Sequence, residues 1–197
     1  MKIASNNIEN LYHLTSLDNF KRIKQYGCIM MTTDKSFGKS SELTGVFLLD
    51  IANLIKNWQF SPQWSGHLGY KLLKHVAGNS DEIVCLKIPT SKLKQQDLYI
   101  RSQNNLFDYL YRKKGDTQHA INGLNISDAD VIPSKDAVEF VYEHTIALKD
   151  VEITGKSKTT PLKLYDFDNF KQKISAMTVF DNLLKDKPEA KLLNLYI

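Results

Sequence analysis

No apolar run in this sequence approaches the roughly 18 residues that a membrane-spanning helix needs. The first residues, Met-Lys-Ile-Ala-Ser-Asn-Asn, lack the apolar core of a secretory signal. A cytoplasmic location is expected, or delivery into a target cell by a route that reads no N-terminal signal. Cysteine is scarce. Cys28 and Cys85 are the only two, too few for a disulfide framework or a four-thiolate zinc site. Arginine is scarcer than lysine and is confined to Arg22, Arg101 and Arg112. Internal repeats and low-complexity tracts are absent.

What remains is an ordinary globular composition, 42% hydrophobic and 24% charged, over 197 residues. That length suits one principal domain with a sizeable core. The net charge of +4 arises largely between positions 70 and 120, where nine basic residues face five acidic ones. A local basic surface favours nucleic acid, an acidic protein or a dinucleotide phosphate, although a lysine-rich solvated face would give the same excess.

Short strands mixed with helices predict an α+β architecture. Strands are expected at 45–50, 82–88 and 138–142, with a second β segment at 146–148 and 151–153. Helices are expected at 51–60 and 70–76, and helical spacing of Leu106, Phe107, Leu110 and Tyr111 suggests another over 104–114. Residues 32–44 read as a long polar loop, 61–69 as turn-rich, 115–127 as irregular and 155–160 as a linker. From position 161 the pattern is helical, with Phe167, Phe170, Ile174, Met177, Phe180, Leu183 and Leu184 recurring at helical steps. The expected organisation is therefore a domain at 1–155 and, at 156–197, a linker with a helical C-terminal extension packed on it.

The most informative stretch is Leu11-Tyr12-His13-Leu14-Thr15-Ser16, followed by Leu17 to Gly27. It reads as a strand, a tight turn and a helix. Ser16 suits the N-cap, Gly27 the left-handed position after the last turn, and Leu17, Phe20 and Ile23 one apolar face. His13 thus falls near a strand end, where a side chain and nearby backbone groups converge on a small ligand.

Tyr12-His13-Leu14-Thr15, Asp18-Asn19, Ile23 and Gly27 resemble the first motif of histidine-containing ADP-ribosyltransferases, the branch of the poly(ADP-ribose) polymerases and DNA-modifying DarT-like toxins. Two later segments extend the resemblance, in order, over about residues 8–155. Gly45-Val46-Phe47-Leu48-Leu49-Asp50 and its helix are similar to the second motif, with Trp58 at the place of the nicotinamide-stacking tyrosine and Phe47 replacing a tyrosine. Glu139-Phe140-Val141 looks like the catalytic glutamate at the start of a late strand; Glu143 is its competitor. Ile55 departs from the family's serine, and Ala137 stands where arginine-modifying relatives carry a second acceptor.

The resemblance implies an ADP-ribosyltransferase-like split β-sheet core with flanking helices. It implies NAD as co-substrate and no metal. His13 would donate to the adenosine-side ribose, Thr15 would bond the same ribose, the Leu14 backbone would hold the carboxamide, and Trp58 would stack on nicotinamide. Phe47 would line the same site. Glu139 would bond the nicotinamide ribose and stabilise its developing positive charge. The expected activity is toxin- or effector-like mono-ADP-ribosyl transfer, with a nucleic-acid acceptor favoured over a protein and an antitoxin or chaperone as a further partner. No membrane partner is expected.

Alternatives are a tRNA 2′-phosphotransferase of related fold, against which the few arginines argue, and a non-catalytic nucleic-acid- or partner-binding module on the same fold. His67, His75 and Cys85 as a zinc set, or His13 and His144 as a nuclease pair, lack supporting spacing.

Overall fold

The computed structural model describes residues 8–34, 43–60, 62–94, 97–105, 108–113, 119–120, 139–163, 169–185 and 187–193. The chain starts with β1 (Asn10–Ser16) and turns directly into α1 (Leu17–Tyr26). Both punctuation residues act as their chemistry dictates. The Ser16 hydroxyl accepts the Asn19 N–H at 3.3 Å, and Gly27 adopts φ 71°, with its N–H bonded to the Ile23 carbonyl at 2.9 Å. An N-cap of this kind contributes about 1 kcal/mol.

Then come β2 (Cys28–Ile29), β3 (Thr32–Asp34), β4 (Leu43–Leu49), α2 (Ile51–Phe60), α3 (Pro62–Ala77) and β5 (Glu82–Pro89). Strands β6 (Leu98–Asn105), β7 (Asp108–Lys113), β8 (His119–Ala120), β9 (Glu139–Tyr142), β10 (Ile146–Ala147) and β11 (Glu152–Lys158) follow. Helices α4 (Thr160–Lys163), α5 (Asn169–Leu183) and α6 (Ala190–Leu193) complete the described chain. The fold class is α+β.

An antiparallel sheet runs in the order β11-β5-β1-β4-β9-β6-β7-β8, with β3 paired to β4; β2 and β10 form a separate small ladder. Seven register pairs join β1 to β5, from Asn10 opposite Pro89 to Ser16 opposite Ile83. A single pair, Tyr12 opposite Leu49, joins β1 to β4. The sheet therefore has a seam. On one side lie β1, β5 and β11, on the other β4, β9, β6, β7 and β8.

Strand alternation gives each face its own core. On one face Leu11, Val84, Leu86, Val46, Leu48 and Phe140 pack with Phe20 and Ile23 of α1. On the other, Tyr12, Leu14, Leu49, Ile83 and Cys85 pack with Leu73 of α3 and Phe180 and Leu183 of α5. Full burial of a side chain such as Phe180, Leu73 or Ile83 contributes about 1.5–3 kcal/mol by removing apolar surface from water. No helix among the described residues is long and apolar enough to cross a membrane.

Four local expectations are corrected. Residues 32–34 and 43–44, read within a polar loop, belong to the antiparallel pair β3–β4, Thr33 opposite Thr44, because β-branched threonine suits a strand without needing an apolar face. Residues 62–69 are helical: Pro62 opens α3 where a proline removes no intrahelical bond, and the glycines are carried within the longer helix. Residues 108–113, expected within a helix, form strand β7, with Tyr111 in register with Arg101; Leu106 and Phe107 lie outside the described residues.

The fourth correction concerns residues 155–160, read as a linker. β11 continues through them to Lys158, paired along β5, with a bulge between Ile153 and Gly155. The 155 boundary thus falls inside a strand. The C-terminal helices supply one wall of the core: of the expected stripe Met177, Phe180, Leu183 and Leu184 are buried, joined by Ala176 and Val179, whereas Phe170 is 71% and Ile174 48% exposed. The readings of 121–138 lie outside the described residues.

Candidate functional site

The seam is built around His13. Its Nδ1 lies 2.9 Å from the Phe47 carbonyl oxygen on β4. A carbonyl only accepts, so Nδ1 is the donor and carries the proton. Burial lowers the imidazole pKa from its ordinary 6.5, an effect opposed by this hydrogen bond. The neutral ring thus presents Nε2 as a bare acceptor. An imidazole held in this tautomer can accept a hydrogen bond at Nε2.

The backbone beside it is also set by register. The Thr90 N–H bonds the Glu9 carbonyl at 2.9 Å, which fixes the phase of the β1–β5 ladder. Alternate residues of β1 bond to β5, and the others, Tyr12 and Leu14 among them, turn N–H and C=O towards β4. Tyr12 meets Leu49 there. At Leu14 the ladder stops: Phe47 is the residue a continuing ladder would set opposite it, and the Phe47 carbonyl receives the His13 ring instead. The His13 ring thus bonds β4 next to the Leu14 peptide, where the backbone pairing has ended.

Glu139 begins β9 and stands directly opposite Leu49, which is itself opposite Tyr12. On its far side it is in register with Arg101 of β6. The glutamate is half-buried, as is Glu143 beyond the strand end. Leu14, Phe47 and Glu139 share the face covered elsewhere by α3 and α5, whereas His13 and Thr15 belong to the α1 face. The seam is where the sideways-turned His13 ring reaches between them. Thr15 is buried, 5% exposed, opposite Val84. Trp58 occupies the last turns of α2; its side chain is outside the described residues. Ile55, at the family's serine position, is fully buried.

Sequence reading missed the residues that brace this site. Tyr12 is buried, and burial together with a hydrogen bond to Glu189 pushes its phenol pKa well above the usual value. Glu189 lies just before α6, so the C-terminal segment is tied to the residue preceding His13. Lys87, in register with Tyr12, lies 2.5 Å from Glu152, which Lys187 also contacts. Hydrogen bonds from Lys187 and Lys87 hold the Glu152 carboxyl below its ordinary range. Cys85 is fully buried and its thiol is pushed up to about 12 by burial, an inert core residue rather than a ligand. Among the described residues no group of histidine, cysteine and carboxylate side chains is placed to hold a metal. Only the alternation that buries Tyr12 was visible in sequence; its partner lies 177 positions away.

No family model matches this chain, and no similar protein was found among curated proteins or solved structures.

The His13 environment carries a pH prediction. Its folded-state pKa is depressed, so below about 6.5 the unfolded chain binds the proton more readily than the folded one, and stability falls as pH drops through that window. Denaturant unfolding between pH 7.5 and 5 is expected to show this loss, and His13→Asn to remove part of the slope. An imidazole resonance of His13 titrating at or above 6.5 would refute the buried neutral ring.

Proposed function

We propose that the chain is an NAD⁺-dependent mono-ADP-ribosyltransferase with an ADP-ribosyltransferase-like split sheet, the seam between β1 and β4 being the split. The observation that carries this reading is the His13–Phe47 hydrogen bond at the end of the β1–β4 pairing. It orients a neutral histidine beside the Leu14 peptide, across β4 from the glutamate that opens β9. A ribose, a carboxamide and a developing cation need such groups: an acceptor for a hydroxyl, a peptide for an amide, and a carboxylate for positive charge.

On this reading NAD⁺ enters as substrate. His13 Nε2 accepts from the adenosine-side ribose, the Leu14 peptide holds the nicotinamide carboxamide, and Phe47 and Trp58 provide aromatic surface for the ring. The C–N bond to nicotinamide breaks and its electron pair leaves with neutral nicotinamide. Glu139 bonds the ribose 2′-hydroxyl and stabilises the oxocarbenium-like carbon. The acceptor then forms its bond to that carbon and gives up its proton to Glu139. An inhibitory partner such as an antitoxin would suit a toxin-like activity of this kind.

The test is nicotinamide release by the purified protein, alone and with added RNA, DNA or cell lysate, alongside calorimetry with NAD⁺. Binding and release are expected. No heat of binding and no release under every condition would remove the transferase reading and leave a partner-binding module on this sheet.

A further inference from the structure

A row of paired residues crosses the sheet beside the candidate site. Glu152 of β11 is in register with Lys87 of β5, Lys87 with Tyr12 of β1, Tyr12 with Leu49 of β4, and Leu49 with Glu139 of β9. Residues in register share a face of a pleated sheet, so the whole row lies on one side. The segment 187–193 is laid along it. Lys187 contacts Glu152 at the outer strand, and Glu189 accepts the hydrogen bond of the Tyr12 phenol two strands further in. The chain turns there, with the Ala190 N–H on the Lys187 carbonyl at 3.1 Å. It then enters α6, whose Leu193 is buried in the same core as Leu54 and Ile55 of α2, the helix that carries Trp58. The segment thus runs inwards from the sheet edge to the seam.

A segment that only closed the core would cover Tyr12 with apolar side chains. Glu189 does not. One of its oxygens serves the Tyr12 hydroxyl, and the other, Oε2, is buried with no hydrogen-bond partner among the described residues. A buried acceptor left unsatisfied subtracts from stability. The carboxylate is therefore held at a cost, and what it secures is the phenol. Tyr12 carries the single described backbone pair between β1 and β4, and the adjacent His13 ring reaches the Phe47 carbonyl. A roll of β1 about its axis at Tyr12 would break that contact. Successive side chains of a strand point to opposite faces, so the Tyr12 phenol lies across the strand from His13. A bond at its tip acts as a lever against the roll.

We infer that Glu189 is a positioning residue: through Tyr12 it fixes the roll of β1, and with it the direction in which His13 presents its ring. The consequence for NAD⁺ rests on the transferase reading above; the effect on the ring does not.

The test reads the His13 imidazole directly, by heteronuclear NMR at neutral pH without NAD⁺. The two nitrogens of a neutral ring differ according to which carries the proton, so the spectrum reports the tautomer. A single tautomer, protonated at Nδ1, is expected in the wild type. Glu189→Ala and Tyr12→Phe break the same bond, and each is expected to give a mixture of both tautomers. Glu189→Gln keeps an oxygen for the phenol and is expected to restore the single form. The double variant is expected to match either single one, since both remove one shared interaction. Lys191→Ala, at an exposed position of α6, is expected to leave the ring unchanged.

A purely structural Glu189 would lower the Tm in Glu189→Ala and leave the His13 tautomer intact; that outcome overturns the inference. So does a Glu189→Gln protein that behaves like Glu189→Ala, or a mixed tautomer in the wild type. Should a thermal melt show Glu189→Ala unfolded, Tyr12→Phe, which keeps the buried ring, supplies the same comparison. NAD⁺ is scored separately. In Glu189→Ala its KM is expected to rise about two- to tenfold, the weight of one hydrogen bond, with kcat little changed. An unchanged KM beside a mixed tautomer keeps the positioning role and refutes the His13–ribose contact. No nicotinamide release by the wild type refutes the transferase and leaves the tautomer result standing.

Discussion

Glu139→Gln is expected to lower nicotinamide release by about a hundred- to thousand-fold, equivalent to roughly 2.7–4 kcal/mol of barrier. Glutamine keeps the size of the side chain and its ability to accept a hydrogen bond, and loses only the charge. The charge matters most when the ribose carbon becomes cationic, so the loss belongs to the transition state and should appear in kcat with little change in KM for NAD⁺. Glu139 is half-buried at the start of β9, in register with Leu49 on one side and Arg101 on the other, where its carboxylate is less screened than in bulk water. Glu143, past the end of the strand, serves as control, and Glu143→Gln is expected to retain activity within about threefold, as substitutions away from reacting atoms do. Activity that survives in Glu139→Gln, or a larger loss in Glu143→Gln, would assign the chemistry elsewhere.

The largest effect on stability is expected from Gly155→Ala. A Cβ at Gly155 would lie 2.5 Å from the carbonyl oxygen of Asn182 and 2.7 Å from that of Leu183. Both obstacles are main chain at the end of α5, and cannot rotate away as a side chain would. The Thr154 hydroxyl donates to the same Leu183 carbonyl at 2.8 Å, so separating helix from strand also breaks a bond. Overpacking of this kind costs about 1–3 kcal/mol, and the lost bond adds about 1 kcal/mol. A chain of this size should then melt about 5–12 °C lower, as thermal denaturation will measure. An unchanged Tm would mean that α5 is not seated against β11 in this way.

Gly155 also shows where sequence reading stops. Gly155-Lys156-Ser157-Lys158 has the composition of a linker, and nothing local reveals that β5 lies alongside. By contrast, Ser16 and Gly27 were legible because a cap needs only residues three or four positions away. Glu139 and His13 could be named from short motifs, but their relation could not: it depends on a β1–β4 ladder that stops after Tyr12. The carbonyl that orients the His13 ring, Phe47, lies 34 positions distant. Leu110 and Tyr111 also fit a helical period, and the register of β7 with β6 overrode it. The stripe on α5 was legible at Met177, Phe180, Leu183 and Leu184, all in the core, but not at its start, where Phe170 and Ile174 are exposed and the burial of Ala176 and Val179 was not foreseen.

The strand order has a consequence for the protein while it is being made. β1 is made before every other described strand, yet it belongs in the middle of the sheet, and its long ladder is with β5. Roughly 70 residues separate the end of β1 from the end of β5, so at ordinary elongation rates the nascent β1 waits about 4–15 s for its main neighbour. During that interval Leu11, Tyr12 and Leu14 have no sheet to enter. Slowing translation between positions 30 and 80 is therefore expected to lower the soluble yield, as a pulse-chase solubility assay will measure.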